Sequence, residues 1–450
     1  MRILVVGCGG REHALVRGLL RSAKRPEVFC APGNGGTEAP VDGRRAKNVD
    51  IRDMDLDALA AFARETAIDL TVIGPEHPLG AGIVDRFTAD GLRIFGPTAA
   101  AARIEGDKAF AKRLMIAVGV PTAEARIFGP TEDELLREAQ PSDDSDQRLQ
   151  RGIEQACEYI LTRDESLVVK AAGPAKGKGV LVCADPAEAV CAAEQLMVER
   201  LFGDAGRTIL VEERLTGREV SVLALVDGHT IYVLESARDY KRAQDGDAGP
   251  NTGGMGSYSA SGLLDDATLR QIEETILVPI VDALAQHESP YRGVLYAGLM
   301  LTHGGPKVLE FNCRFGDPEA QAILMRLRSD LTDVLEAVVD GRLDQVTLEW
   351  DPRPAVCVVM ASKGYPDRPE TGQLIRGLDA VADEPDVAVF HAGTKHTDKG
   401  IVTSGGRVLS VTALGDSVAA ARDRAYAATA RIEFDGAFYR SDIAADCATA

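Results

Sequence analysis

The stretch KVLEFNCRFGDPEAQ, residues 307–321, sets Glu310, Asn312 and Arg314 between apolar neighbours. In an extended chain successive side chains point to opposite faces, which groups Leu309, Phe311, Cys313 and Phe315 on one side and Glu310, Asn312 and Arg314 on the other. The first side suits a core. An unpaired carboxylate is too costly to bury, so the second side must meet water, a cation or a ligand. Glu310 and Asn312 present hard oxygen donors on that one face, the donor type that Mg²⁺ takes, and Mg²⁺ commonly sits between carboxylates and nucleotide phosphates. The competing reading is a Glu310–Arg314 ion pair, for which their spacing along a strand is long. RFGDPEAQ begins where the strand ends and brings Arg314 and Asp317 towards the same phosphates.

Other segments suit anions. Lys170 ends an apolar run and is followed by AAGPAKGKG and then a second apolar run, GVLV. The Walker A pattern fails here: its spacing is wrong, Gly179 stands where Ser or Thr is needed, and no helix follows. A hairpin lid over a polyphosphate fits better, with glycines allowing close backbone approach and Lys176 or Lys178 supplying charge. The alternative is an exposed hairpin with solvated lysines. GCGGREHA, residues 7–14, is a glycine turn into a helix, where backbone N–H groups suit phosphate. Glu12 takes the third glycine position of a dinucleotide fingerprint, so a nicotinamide cofactor is disfavoured. Arg11 is the phosphate candidate there, and His13 reads as a packed helix residue. VEERLTGREVSV, residues 211–222, puts Glu212 and Glu213 at a strand end and Glu219 at the start of the next, either a solvated edge or part of the Glu310 site. Residues 238–259 crowd charges and glycines where no regular element fits, which reads as a functional loop or a disordered linker.

The elements that must position these residues fall into three parts. RILVVG, EVFCAPG, IDLTVIGPE and LRIFGPT are apolar runs ending in turns and alternating with helical segments such as 54–67. That pattern predicts a doubly wound parallel sheet over residues 1–103, with its ligand at the strand carboxyl ends where APGNGG, GPEHP and GPT converge. After a helix from Lys108, strands dominate: SLVVKAAG, GVLVCAD, RTILVEERL, REVSVLALVDGHTIYVLE with a D-G turn, YAGLMLT and KVLEFN, closed by helix near 319–340. Between them, the acidic residues 130–150 read as a solvated excursion. The tail is strand-rich again (AVCVVMAS, DVAVFHAGT, GIVTSG, RVLSVTA) with one helix at 417–432.

Composition narrows the partners. A chain of 450 residues exceeds one core at roughly 100–200 residues per domain. Hydrophobic residues at 45% and charged residues at 26% are ordinary for a globular protein. A formal charge of -19 argues against nucleic acid or an anionic membrane as the main partner, while leaving room for a locally basic pocket. Solubility or a salt-rich habitat would each account for the acidity. The eight cysteines show no metal-type or C-x-x-C spacing, and read as reduced and cytoplasmic. The apolar run of MRILVVGCGG is too short for a signal peptide, and no window long enough to span a membrane exists.

Taken together, GGREHAL, APGN, GPE, FGPT, the GKGV loop, GPNTGGMG, YAGLM, EFNCRFGDPE and FHAGT resemble the phosphoribosylamine–glycine ligase family of the ATP-grasp superfamily, in order from residue 7 to 394. The resemblance implies an α/β and α+β multidomain fold. A parallel-sheet domain over 1–103 precedes an ATP-grasp unit over 104–335, with a mobile lid at about 122–215, and a small β-rich C-terminal domain covers 336–450. It also implies the reaction: ATP phosphorylates the carboxylate of glycine, and the nitrogen of 5-phosphoribosylamine displaces phosphate. ATP and Mg²⁺ (or Mn²⁺) are then required, and no covalent enzyme nucleophile is needed. The chain would work as a monomer or weak dimer.

Residue by residue, Lys108, Lys170 and Lys178 match the nucleotide-phosphate lysines and lid loop, and Glu212, Glu213, Leu215 and Glu219 the adenine and ribose segment. Glu310 and Asn312 match the metal ligands. Asp239, Lys241 and Arg314 are the implied catalytic groups. Arg242, Asn251, Thr252, Gly253 and Asp317 are expected around glycine and phosphoribosylamine, with Gly9, Gly10 and Arg11 facing the latter's phosphate. The chain departs from the family at Cys8 (usually Asn), Ala172 (usually Asp) and Tyr240 (usually His), which touches the lid's fine contacts and turnover. Rival readings are an ATP-grasp ligase for another amine, a silent nucleotide-binding protein and a dinucleotide oxidoreductase.

Overall fold

The computed structural model describes residues 1–130, 143–175, 177–287 and 289–447. The N-terminal runs form a parallel sheet in the order Lys47–Asn48, Glu27–Pro32, Arg2–Gly7, Leu70–Ile73, Ile94–Phe95. Its first member was not legible in the sequence, because a two-residue strand carries no periodicity. The side chains of Arg2–Gly7 beyond Arg2 are buried on both faces, as a central parallel strand requires.

Among the described residues the central sheet is nine-stranded. It runs Gly305–Asn312, Arg292–Thr302, Arg218–Asp227, Ala237–Asp239, Gly256–Ser259, Ala355–Ala361, Arg407–Leu414, Val387–His391, with Ile231–Val233 alongside Arg218–Asp227. Gly256–Ser259 pairs with Ala355–Ala361, so strands of the tail extend the same sheet. The core is continuous between the N-terminal sheet and the central one: Leu4, Val6 and Phe87 pack in one cluster with Val222, Leu295, Val308 and Phe311.

A four-stranded sheet, Ala125–Phe128, Ile209–Glu213, Leu167–Ala171, Val180–Cys183, carries the lysine loop. Helices Asp143–Leu161 and Pro186–Met197 cover it. Ile153, Ala156 and Ile160 repeat at helical spacing and pack on Val169, Val211 and Leu196 in a cluster of their own. This unit joins the central sheet through the short connection at 214–217 that contains half-buried Leu215.

Three expectations change. The segment 130–150 is not one excursion: helix Asp143–Leu161 starts inside it, and residues 131–142, like Lys176, lie outside the described residues. Residues 238–259 are neither a linker nor an irregular loop. Ala237–Asp239 and Gly256–Ser259 are adjacent strands of the central sheet, and Arg242–Gln244 pairs with Ala248–Asn251 as a small hairpin between them. Finally, Leu309 does not share a face with Phe311. The register shifts as Gly298 pairs with Glu310 and Leu299 with Val308, so Leu309 is the extra residue of a bulge. The core side of the strand is Val308 and Phe311, continued by Cys313.

Candidate active site

The bulge frees a carbonyl for the site. Lys170, on the strand Leu167–Ala171, reaches the Leu309 oxygen at 3.0 Å and Glu212 Oε2 at 2.8 Å. Lys112 holds the other oxygen of Glu212 at 3.0 Å and is itself anchored by Thr122 Oγ1 at 2.7 Å. Glu212 is thus buried between two lysines and positions Lys170. Lys112 gave no signal in the sequence beyond a lysine on a helix face. Glu213 turns outward to Lys307 at 2.8 Å and accepts the Glu124 N–H at 3.0 Å; burial would raise its pKa, but these partners hold it below the usual carboxylate value.

Lys108 opens helix Lys108–Ala117, which Asp107 caps by accepting the N–H groups of Ala109 and Phe110 at 2.9 and 3.0 Å. Its backbone N–H donates to the Ala172 carbonyl and its ammonium lies 3.5 Å from the Gly173 carbonyl, so this lysine faces the end of the strand Leu167–Ala171. Burial and the neighbouring Lys170 lower its pKa, and Glu310 opposes them. Ala172 itself packs with Ala109 and Leu210 in a small apolar cluster.

Glu310 is the exception in this network. Its carboxylate has no hydrogen-bond or ion-pair partner among the described residues, yet it stays ionised: burial pushes its pKa up, and Lys241, Lys108, Lys170 and Arg314 together hold it below the ordinary value. The Glu310–Arg314 ion pair does not form. Arg314 pairs with Glu105 at 3.0 Å and Glu76 at 3.4 Å and approaches Asn312 Oδ1 at 3.4 Å, tying the end of the strand to the N-terminal domain. Glu76 belongs to the GPE motif, whereas Glu105 was missed although it stands just ahead of Lys108.

The residues fit a hard divalent cation. Glu310 and Asn312 supply two oxygens from one strand, and a Cβ at Gly298, opposite Glu310, would come within 3.3 Å of its Cγ, so the glycine keeps that side open. No three His, Cys, Asp or Glu side chains converge among the described residues. A cation here would therefore complete its shell with water and ligand oxygens, the usual Mg²⁺ arrangement at nucleotide phosphates.

Across the sheet lies a buried acid–base cluster. Lys241 pairs with Asp239 at 3.3 Å; burial would depress its pKa, but Tyr296, Asp239, Glu219 and Glu310 raise it well above the ordinary value. Asp239 is pushed up to about 7 by burial, with Lys241 pulling it down and Glu319 adding to the rise. Its Oδ1 is buried without a hydrogen-bond partner. Glu319 accepts from Tyr296 at 2.7 Å and Ser221 at 3.0 Å, three residues the sequence reading did not single out.

The residues expected around the substrates lie beside this cluster. Thr252 donates from both its N–H and its hydroxyl to the Lys241 carbonyl at 2.8 Å, and Arg242 holds the Gly249 carbonyl at 2.7 Å. Asn251 Nδ2 is 3.5 Å from the Val180 carbonyl of the four-stranded sheet. Lys178 is engaged away from Glu310, on the Pro366 carbonyl at 2.7 Å with Asp367 at 3.8 Å. Tyr240 points to the C-terminal segment, donating to Asp446 at 2.8 Å.

At the N-terminal glycine turn, Gly9 caps helix Gly10–Leu20, and its N–H is taken by Glu12 at 2.5 Å. Arg11 pairs with Glu12 at 2.7 Å and donates to the Phe315 carbonyl at 2.9 Å. A Cβ at Gly7 or Gly74 would collide with the Glu12 side chain, so these glycines make room for a carboxylate of the chain itself. Asp317 sits beside Gly9 and pairs with Gln321 at 2.8 Å and Arg407 at 3.3 Å, while a Cβ on Gly10 would meet Gln321. His13 is packed, as expected, accepting the His391 N–H at 2.8 Å.

Comparison with known proteins agrees with this geometry. The chain matches the phosphoribosylglycinamide synthetase N domain over residues 1–105, its ATP-grasp (A) domain over 106–320 and its C domain over 355–446. It is 49% identical to a phosphoribosylamine–glycine ligase of Rhodopirellula baltica, covering 98% of this chain and 96% of that protein. A second such ligase, from Caldanaerobacter subterraneus, is 45% identical over 99% of this chain and 100% of its own length. The crystal structure of the phosphoribosylamine–glycine ligase of Thermotoga maritima superposes with a TM-score of 0.79 at 31% identity, covering 98% of this chain and all of that one. The biotin carboxylase domain of Hydrogenobacter thermophilus 2-oxoglutarate carboxylase shares the fold, with a TM-score of 0.68 at 15% identity over 97% of this chain and 91% of that one. The chain therefore belongs to the phosphoribosylamine–glycine ligase family, ATP-grasp enzymes that form a carbon–nitrogen bond.

Proposed function

We propose that this chain joins 5-phosphoribosylamine to glycine, driven by ATP, giving glycinamide ribonucleotide, ADP and phosphate in purine biosynthesis. The observation that carries this reading is Glu310: an ionised carboxylate left unbonded among the described residues while lysines from three segments, Lys108, Lys170 and Lys241, act on it. Such a charge is costly to keep unless a cation and a polyphosphate complete it.

A carboxylate is a poor electrophile until one oxygen becomes a good leaving group. In the first step a carboxylate oxygen of glycine attacks the γ-phosphorus, the bond to the β,γ-bridging oxygen breaks, and its electrons leave on ADP. Lys108 and Lys170 neutralise the charge that spreads over the phosphoryl oxygens, and burial strengthens that effect. Mg²⁺ (or Mn²⁺), held by Glu310 and Asn312, would supply Lewis-acid charge at the same oxygens. In the second step the amine nitrogen attacks the acyl carbon of glycyl phosphate, the carbon–oxygen bond breaks, phosphate leaves, and the nitrogen sheds a proton. Asp239, with its pKa near 7 and an unpartnered oxygen, is suited to receive that proton, and Lys241 to stabilise the charge on the acyl oxygen. Arg314, Asp317 and the loop from Arg242 to Gly253 frame the amine substrate, with Gly9, Gly10 and Arg11 towards its phosphate.

We take residues 1–103, 104–335 and 336–450 as the functional domains, with 122–215 moving as the lid, and the chain as a cytoplasmic monomer or weak dimer. None of its described helices is long and apolar enough to cross a membrane. The test is ADP release with ATP, glycine and freshly generated phosphoribosylamine, leaving out each in turn. Full release is expected only with all three. Equal release with another amine in place of phosphoribosylamine would overturn the assignment of the acceptor.

A further inference from the structure

Arg407 belongs to the strand Arg407–Leu414 of the tail, far in sequence from Gly253, Gly254 and Asp317. Its Nη1 donates to the Gly253 carbonyl at 2.6 Å, the Asp317 carbonyl at 2.7 Å and the Gly254 carbonyl at 3.4 Å, and its Nη2 lies 3.3 Å from the Asp317 carboxylate. On the other side of the same loop the Tyr365 hydroxyl accepts the Gly253 N–H at 2.9 Å. Both backbone polar groups of Gly253 are therefore held by side chains of the C-terminal domain. A larger residue there would press on the clamp: a Cβ at Gly253 would sit 3.0 Å from the Arg407 Cζ. Gly254, at φ +110, lies against Pro318, and a Cβ on it would come within 2.7 Å of the unpartnered Asp239 Oδ1.

The clamp joins two segments, the loop Asn251–Gly254 and the turn at Asp317. A guanidinium suits this task because its planar fork of donors is fixed, so one side chain can set the angle between several carbonyls. We infer that Arg407, with Tyr365, is a positioning residue for the amine half of the reaction: it holds the Gly253 loop over Asp239 and thereby shapes the seat of phosphoribosylamine. This rests on the functional reading above. The nucleotide half is built from Lys108, Lys170 and Glu310, none of which Arg407 touches, so the two halves should respond differently to its loss.

The experiment compares Arg407→Met, Arg407→Lys and Tyr365→Phe with the unsubstituted full-length chain in steady-state kinetics. Misplacing a substrate by about 1 Å can cost on the order of 100-fold. In Arg407→Met the KM for phosphoribosylamine is expected to rise about tenfold or more while the KM for ATP stays within about twofold. Arg407→Lys keeps the charge beside Asp317 but not the fork, and should recover part of the loss. Tyr365→Phe should give a rise of about threefold, since it removes one hydrogen bond. An unchanged phosphoribosylamine KM in folded Arg407→Met, or equal losses for all substrates, overturns the inference. Should Arg407→Met fail to fold, a flat phosphoribosylamine KM in Tyr365→Phe does the same. Hydrogen exchange at the amides of residues 251–254 gives a readout that needs no turnover: faster exchange in the variants supports the clamp, and equal exchange overturns it. Absence of phosphoribosylamine-dependent ADP release in the unsubstituted chain would instead bring down the functional reading.

Discussion

Two charged clusters stand next to each other in this molecule and are built on opposite principles. At the glycine turn, Arg11 and Glu12 are sequence neighbours that pair at 2.7 Å, and Glu12 also takes the Gly9 N–H. Both oxygens of the Glu12 carboxylate are engaged. On the strand Gly305–Asn312, Glu310 has no partner among the described residues, although Lys108, Lys170 and Lys241 act on it from three remote segments. A local pair satisfies itself as the chain folds and tightens the fold; a charge surrounded by lysines but not hydrogen-bonded leaves its oxygens open to a ligand. Charge in a buried turn is thus not by itself a sign of chemistry. The difference between the clusters lies in what remains unsatisfied after folding.

The sharpest way to break this comparison is Glu310→Gln. Size and strand pairing are kept, while the oxygen charge is lost. Turnover is expected to fall by about 10³-fold or more, equivalent to ~4 kcal/mol of transition-state stabilisation. Thermal stability should fall slightly, since Lys241, Lys108, Lys170 and Arg314 favour the charged carboxylate in the folded chain and the variant leaves them less compensated. Activity within a factor of a few of the unsubstituted chain at saturating Mg²⁺ would sink the functional side of the contrast.

Glu12→Gln is the mirror experiment. It removes a charge that serves the fold and leaves the Arg11 guanidinium buried without its carboxylate. Breaking a buried pair in this way costs about 3 kcal/mol. A clear drop in melting temperature is expected, with the KM for ATP little changed. A large loss of turnover in a chain that melts normally would show that the Glu12 carboxylate itself acts in the reaction and does not only hold Arg11 and Gly9.

Much of this was legible in the sequence, and the gaps have physical causes. The N-terminal sheet announces itself because four of its five strands lie in short apolar runs ended by a glycine or proline turn, the mark of a strand covered on both faces. Glu310 and Asn312 stood out because polar residues interrupt such a run. The bulge at Leu309 was hidden, since it is set by the shift between Gly298 and Leu299 on the partner strand and not by the strand's own pattern. Residues 238–259 read as irregular because their strands are three or four residues long and find their register only against the sheet. Arg407 and Lys112 carried no local sign at all. Their partners, Gly253 and Asp317 in one case and Glu212 in the other, come close only when the domains assemble.

The smallest expected effect concerns the fold side of the contrast and is read through pH. Helix Gly10–Leu20 is locked to the C-terminal domain where His13 Nδ1 accepts the His391 N–H, and His391 Nδ1 lies 3.1 Å from Thr394 Oγ1. Both rings are buried and held neutral: burial lowers His13 well below its ordinary value, with His391 and Arg17 adding to it, and burial with His396 brings His391 down to about 4. For a base whose pKa is depressed by folding, the unfolded chain binds the proton more tightly. The neutral rings therefore contribute full stability above the unfolded value near 6.5, and that contribution is lost as pH falls towards 4. At pH 5 His391 alone should cost about 2 kcal/mol relative to pH 7. Melting temperatures measured across this window should fall more steeply for the unsubstituted chain than for His391→Gln, which keeps the backbone N–H to His13 but cannot take up the proton. Parallel curves would mean that this interface opens before its histidines titrate, and that the self-satisfied half of the molecule is looser than its hydrogen bonds imply.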